Sequence, residues 1–339
     1  MTAVECISAV KFAVWHVFRI KGLTVWQRLQ LALLKIVAVC GYHYGKYRSY
    51  AETPRGSEPI ASREDALRAV HAVNGIATRQ PEIDGHNFIA VVLPVYARTE
   101  HDLALLFKVL QYLSKQKRPA DLIVLVDDGS PLTLPSVIAN EGLALVQLWC
   151  NKGPATARNC GITLAKERGA NVICFLDADC QPSSDWVAMM ERAQQETPGI
   201  VCGKTLADSS ATAVGRYHEV FGTLNGRMLE DGSVLYGCTC NLSISVAGVD
   251  LLFDSSFPAA SFEDVEFCIR AKKNRIRMTY YPPAVVRHHF EPGWTSLFSQ
   301  FQRYGRFERQ TALKHKEYLP WLWSSHEISC FFDGALPIF

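Results

Sequence analysis

The sequence predicts an α/β fold with a mostly parallel central sheet flanked by helices, and helical extensions at both ends. Two observations carry this. Residues 88–94, 122–126 and 172–176 are apolar at nearly every position, as strands covered on both faces are. Between them, residues 101–114 and 155–168 repeat apolar side chains at helical spacing, and apolar strands alternating with amphipathic helices indicate a parallel sheet. With 339 residues, 48% of them hydrophobic and 20% charged, the chain can bury one large core or two modest ones.

Taken in order, residues 1–50 are basic and apolar. Lys11, Arg19, Lys21, Arg28, Lys35, Lys46 and Arg48 stand against one acid, Glu5. The stretch 25–44 is interrupted by Arg28 and Lys35, short of the roughly 18 to 20 apolar residues that a spanning helix needs, and no signal-peptide pattern is present. Leu29, Leu33, Ile36, Val37 and Cys40 recur at helical spacing, which reads as an interfacial helix with Arg28 and Lys35 meeting anionic headgroups. Helices packed on the globular core are the alternative. Residues 51–87 have linker composition, opening on Glu52-Thr53-Pro54-Arg55-Gly56-Ser57-Glu58-Pro59 and holding a short polar helix. The compact domain is expected over 88–290. Residues 291–339 form an extension whose segment 294–309 is an aromatic and basic helix, followed by 318–323; Trp, Tyr and Arg together suit a lipid interface, or the helix folds back over the core.

The net charge of +2 argues against nucleic-acid binding driven by bulk charge. Eleven cysteines in an odd, scattered set show no zinc spacing. They read as reduced, mostly buried thiols in a cytosolic setting, with Cys238 and Cys240 sharing one face of a strand.

The strand ends carry the chemistry. Residues 122–126 run into Asp127-Asp128-Gly129-Ser130, and 172–176 into Asp177-Ala178-Asp179. In open α/β sheets ligands sit at the carboxyl ends of the strands, and hard divalent cations prefer carboxylate and phosphate oxygens. Asp is also a common turn residue, so a plain strand-to-loop turn is the competing explanation. Asn151-Lys152-Gly153-Pro154 then opens a helix with proline in its first turn and free backbone donors suited to an anion, and Arg158 lies one turn in. No Gly-x-Gly-x-x-Gly follows a strand, which disfavours a dehydrogenase.

These segments, in this order, resemble glycosyltransferase family 2: Phe88-Ile89-Ala90-Val91-Val92-Leu93-Pro94-Val95-Tyr96, Val126-Asp127-Asp128-Gly129-Ser130, Asn151-Lys152-Gly153-Pro154 with Ala157-Arg158-Asn159, and Phe175-Leu176-Asp177-Ala178-Asp179. The likeness continues through residues 237–244, 262–266 and 284–288. It implies a GT-A fold, a nucleotide-diphosphate sugar donor, a glycan or lipid-linked acceptor, a divalent metal (Mn2+ or Mg2+) and an inverting transfer. Pro94, Tyr96 and Asp127 or Asp128 would line the base and ribose, and Lys152 or Arg158 would assist the diphosphate. Asp177 would face the ribose or the metal, Asp179 would bind the metal, and His288 would complete its site, with His289 pointing the other way. Asp264 would be the general base, with Glu263 as runner-up and Glu266 orienting helix or acceptor. A helix start at Glu263, with Ser261 and Asp264 as a cap, is the purely structural reading of that cluster. Reduced thiols and a basic, apolar N-terminal stretch without a spanning run give an enzyme that is soluble or peripheral on the cytoplasmic face of a membrane as the expectation. The competing readings are a nucleotidyltransferase, which the absence of glycine in Tyr96-Ala97-Arg98-Thr99 disfavours, and a catalytically silent scaffold.

Overall fold

The computed structural model describes residues 17, 18, 20, 22–51, 70–74, 87–134, 143–209, 211–228 and 232–318. The helices are α1 (Val25–Ala51), α2 (Glu100–Ser114), α3 (Pro154–Glu167), α4 (Trp186–Glu196), α5 (Ala213–Phe221), α6 (Glu263–Lys273) and α7 (Trp294–Lys314). The strands are β1 (Val70–Asn74), β2 (Ile89–Val95), β3 (Leu122–Asp127), β4 (Leu143–Leu148), β5 (Val172–Phe175), β6 (Cys180–Pro182), β7 (Ile200–Ala207), β8 (Arg227–Met228), β9 (Val234–Tyr236), β10 (Leu242–Ser245) and β11 (Met278–His288). They fall into two units. One comprises residues 58–205 and 224–288, the other 1–57, 206–223 and 289–339.

The first unit is an α/β sandwich on a nine-stranded sheet of order β1-β4-β3-β2-β5-β10-β7-β11-β6. Its centre, β4-β3-β2-β5, is parallel, and those strands are buried almost throughout, as their unbroken apolar runs require. The parallel register sets Val95 opposite Asp127 and Val92 opposite Phe175, so the strand ends that carry acids open on one edge. Antiparallel strands extend the sheet on both sides. Asn241 ties that extension together. Its side chain accepts from Trp186 Nε1 at 2.8 Å and donates to the carbonyls of Lys204 and Ala284 at 2.9 and 3.0 Å.

Two expectations change here. Within the stretch read as a linker, Val70–Asn74 is a strand that pairs antiparallel with β4; the polar helix expected in that stretch otherwise lies outside the described residues. Cys238 and Cys240 do not share a strand face, because residues 239–241 turn as a short 3-10 helix before β10 begins. None of the nine cysteines among the described residues is in a disulfide, and six are buried.

The second unit packs α1 against α7 and α5. Glycines set the α1–α7 approach: a Cβ on Gly45 would overlap the Gln302 carbonyl, and one on Gly305 would overlap the Tyr42 carbonyl. Such small-residue contacts let two helix backbones touch. Beside them Glu308, wholly buried, accepts from the Tyr42 hydroxyl and from Lys46 Nζ at 3.3 Å.

The charged residues of α1 are not where spacing placed them. Lys35 is 1% exposed, with Nζ 3.9 Å from the centre of the Phe221 ring, a cation–π contact on the packed face. Arg28 is half-buried and donates to the carbonyls of Leu23 and Phe18, before the helix starts. Neither faces solvent with Leu29, Leu33 and Cys40, which are exposed; Ile36 and Val37 are half-buried. Among the described residues no helix is long and apolar enough to cross a membrane. Residues 319–339, including most of 318–323, lie outside the described residues.

Candidate active site

The edge of the sheet unit gathers the acids in two bonded groups. The first begins at β3. Asp127 and Asp128 are 6% and 4% exposed, and Asp127 Oδ1 accepts from Ser130 N at 2.9 Å. Asp128 accepts from the backbone N–H of Lys152 at 2.7 Å and of Gly153 at 2.9 Å, so it fastens the turn that starts α3. Burial pushes its pKa up to about 6, with the two N–H bonds holding it back and Asp127 adding to the rise. Gly153 sits at φ +89°, and a Cβ there would meet the Pro258 carbonyl at 2.7 Å, so only glycine fits this start of the helix. Pro154 follows at the first helical position. Pro94 is half-buried at the end of β2, Tyr96 just beyond it is exposed, and Lys152 is exposed on its turn.

From α3, Arg158 reaches inward rather than toward solvent. It is 2% exposed, and its two terminal nitrogens donate to Asp177 Oδ1 and Glu263 Oε1, each at 2.8 Å. Its guanidinium also lies 5.7 Å from the Phe253 ring centre. Burial opposes its charge, but Asp177 and Glu263 outweigh that and raise its pKa. Arg158 therefore joins the end of β5 to the start of α6 and has no terminal nitrogen left unbonded.

The start of α6 is unusual. Phe262, the residue before the helix, has φ +66° with a bulky side chain, a conformation that costs on the order of 1–3 kcal/mol and clusters at functional sites. The turn lets Glu263 Oε2 accept from Ser261 N at 2.7 Å. No side chain caps the helix, so the expected cap by Ser261 and Asp264 is not formed; Asp264 instead accepts from Val265 N at 2.8 Å and Thr239 N at 3.3 Å. Asp264 is half-buried. Burial and the adjacent Glu263 push its pKa up to about 7, against the pull of Arg158 and the two N–H donors. Glu266 is buried and held by Arg270 Nε at 2.8 and 2.9 Å, a tie within the helix.

The second group lies where β6 meets β11. Register places His288 opposite Cys180, and His288 Nε2 stands 3.4 Å from Asp179 Oδ1. Cys180, one residue on from Asp179, completes a triad whose ligand atoms lie within 4.8 Å of one another. Its thiol is fully buried and points to Asp179 Oδ1 at 3.9 Å and the Cys240 carbonyl at 3.8 Å; burial raises its pKa well above that of a free thiol. A half-exposed carboxylate oxygen facing an imidazole nitrogen is a donor set that fits manganese better than magnesium, which prefers oxygen alone. Cys180 has no place in the site expected from sequence, where the cysteines read as reduced, mostly buried thiols. The pairing of β6 with β11, about a hundred residues apart, was the missing information. His289 lies beyond β11 and bonds Asp208 through Nδ1 at 2.8 Å.

Residues 90–249 match the family model described as Glycosyl transferase family 2. The chain is similar to "Pre-mycofactocin glycosyltransferase" of Mycobacterium tuberculosis (strain ATCC 25618 / H37Rv), at 24% identity over 255 residues, 70% of this chain and 50% of that protein. It therefore spans about half the length of that relative. It is also similar to "dTDP-rhamnosyl transferase RfbF" of Shigella flexneri, at 22% identity over 224 residues, 61% of this chain and 75% of the relative. Among solved structures, the mannosyltransferase PcManGT of Pyrobaculum calidifontis, in complex with GDP-Man and Mn2+, aligns at a TM-score of 0.48 and 15% identity, over 88% of this chain and 81% of that one. The stretch that matches the family model, residues 90–249, holds the strand ends, the turn into α3 and the Asp177–Asp179 pair.

Proposed function

We propose that this protein transfers a glycosyl group from a nucleotide-diphosphate sugar to an acceptor hydroxyl of a glycan or a lipid-linked glycan. The observation that carries the reading is Asp264: a half-buried carboxyl with a pKa pushed up to about 7, at the head of α6 and linked through Glu263 and Arg158 to the Asp177 end of β5. A carboxyl poised near neutrality is suited to take the proton of an attacking hydroxyl. Glu263 is less suited, since it is buried and one of its oxygens is held by the Arg158 guanidinium.

In this reading exposed Tyr96 and half-buried Pro94 bear the nucleobase, while Asp127 and Asp128 shape the ribose side. Asp128 keeps the Lys152–Gly153 turn in place, so that Lys152 and the N-terminus of α3 face the diphosphate. Arg158 holds Asp177 and Glu263 in register and does not itself meet the donor. Asp179 and His288, with Asp177 near, would hold a divalent cation, which when bound stabilises charge on the departing diphosphate. Asp264 accepts the acceptor proton as that oxygen attacks the anomeric carbon, and a single displacement of this kind inverts the centre.

A thermal-shift panel of UDP-, GDP-, dTDP- and CMP-sugars with and without Mn2+ tests it, on wild type and Asp179→Asn. One relative is named a dTDP-rhamnosyl transferase, which puts that donor in the panel. Stabilisation by one donor class that needs both metal and Asp179 is expected. No stabilisation by any donor would overturn the reading.

A further inference from the structure

Helix α1 has two apolar faces, and only one is covered. Leu31, Leu34, Lys35, Ala38 and Tyr42 are buried against the rest of the helical unit. Trp26, Leu29, Leu33, Cys40, Tyr44 and Tyr47 are exposed, with Trp26 at 68% and Tyr47 at 73%. At 3.6 residues per turn these six fall within about 60° of arc, along roughly 32 Å of helix. A helix apolar on both faces is ordinarily buried on both.

The charge around the stripe says what covers it. Residues 25–51 contain no acid, and the only acid of α7, Glu308, is buried. Arg48, Arg303 and Arg306 are exposed. Register brings them to one side: Gly45 meets Gln302, and Arg309 donates to the Ser49 carbonyl at 3.0 Å. An apolar stripe with Trp and Tyr along it, no acid on its own helix and exposed arginines on α1 and α7 has the composition of a helix lying in a bilayer interface. A second copy of the same face would bring like charges together.

We infer that α1 lies flat on an anionic lipid bilayer, with the Trp26–Tyr47 stripe in the headgroup and acyl boundary and Arg48, Arg303 and Arg306 on lipid phosphates. This surface differs from the one spacing suggested, since Lys35 is on the buried side. It depends on no part of the donor chemistry.

The test is flotation of the full chain with vesicles of neutral phosphatidylcholine, with and without phosphatidylglycerol. Wild type should float with the anionic vesicles, and less so as salt rises. Leu29→Glu/Leu33→Glu should lose at least about tenfold in partitioning, and Arg48→Glu/Arg303→Glu/Arg306→Glu should lose binding to the anionic vesicles. All these side chains are exposed, so the melting temperature and the donor-induced shift should stay at wild-type values; loss of the donor shift in wild type would count against the transferase reading alone. Wild type that stays in the bottom fraction overturns the inference. So does wild-type flotation of Leu29→Glu/Leu33→Glu, or a dimer in vesicle-free sedimentation that this variant dissociates.

Discussion

Arg158 and Glu263, 105 positions apart in sequence, meet at 2.8 Å with both side chains buried. The same guanidinium holds Asp177 at 2.8 Å, so one cation offsets two acids and lowers the pKa of a third, Asp264. Removing one partner of a buried ion pair leaves a charge without compensation and costs about 3–5 kcal/mol. Arg158→Met should therefore lower the melting temperature sharply. In whatever folded protein remains, the Asp264 pKa should rise above about 7, moving the acid limb of the pH–rate profile to higher pH. An unmoved limb would separate Arg158 from the base.

Asp264 supplies a pH signature of its own. With a folded pKa of about 7 against an ordinary 3.8, it must lose its proton to act as the proposed base, so log kcat/KM should climb with unit slope below pH 7 and level off above it. Asp264→Asn should lose that limb and about 10²-fold or more in kcat, while donor affinity holds. Glu263→Gln should retain the limb. For stability the sign is opposite to that of a salt-bridged acid. A raised folded pKa means that the native state holds the proton more tightly, so the stability it supplies is lost as pH rises from about 4 to about 7. The melting temperature of Asp264→Asn relative to wild type should accordingly increase between pH 5 and pH 8.

How much of this the sequence disclosed follows from where each contact originates. The parallel strands were legible because they are continuous apolar runs ending in acids, so Asp127, Asp128, Asp177 and Asp179 could be placed on one edge from local pattern alone. The antiparallel strands were not: β10 has four residues, β6 has three and begins at Cys180, and β11 contains Pro282 and Pro283. Their pairing puts Cys180 opposite His288, which no local pattern encodes. Arg158 was legible as a helix residue near the site, but its direction depends on Glu263. On α1 both faces are apolar, so periodicity could not choose between them, and Lys35 went inside because Phe221 offers its ring there.

At the second acid group, Asp179→Asn and His288→Ala should each weaken Mn2+ binding measured by calorimetry, by about 10-fold or more if the two ligands act together. Asp179 has a side chain 35% exposed, so the fold should survive its replacement. Wild-type Mn2+ affinity in both variants would remove this pair from the proposed metal site.

The helical unit is predicted to depend on its glycines as well as on its ion pair. At Gly305 an added methyl group would overlap the Tyr42 carbonyl, and at Gly45 the Gln302 carbonyl. Both obstacles are backbone, so neither helix can yield by rotating a side chain, and α1 and α7 must separate. Overpacking of this kind costs typically 1–3 kcal/mol, enough to outweigh the roughly 0.5–1 kcal/mol that alanine gains over glycine within a helix. Gly305→Ala and Gly45→Ala should each lower the melting temperature. Gly248→Ala should not, because its Cβ would meet only ordinary contacts near 3.8 Å. Lys46→Met takes a cation from wholly buried Glu308, which keeps its Tyr42 hydrogen bond, and should lower the melting temperature at least as much as either glycine change. A thermal melt in which Lys46→Met is the least damaging of these three would show that backbone approach, rather than the buried carboxylate, governs the pairing of α1 with α7.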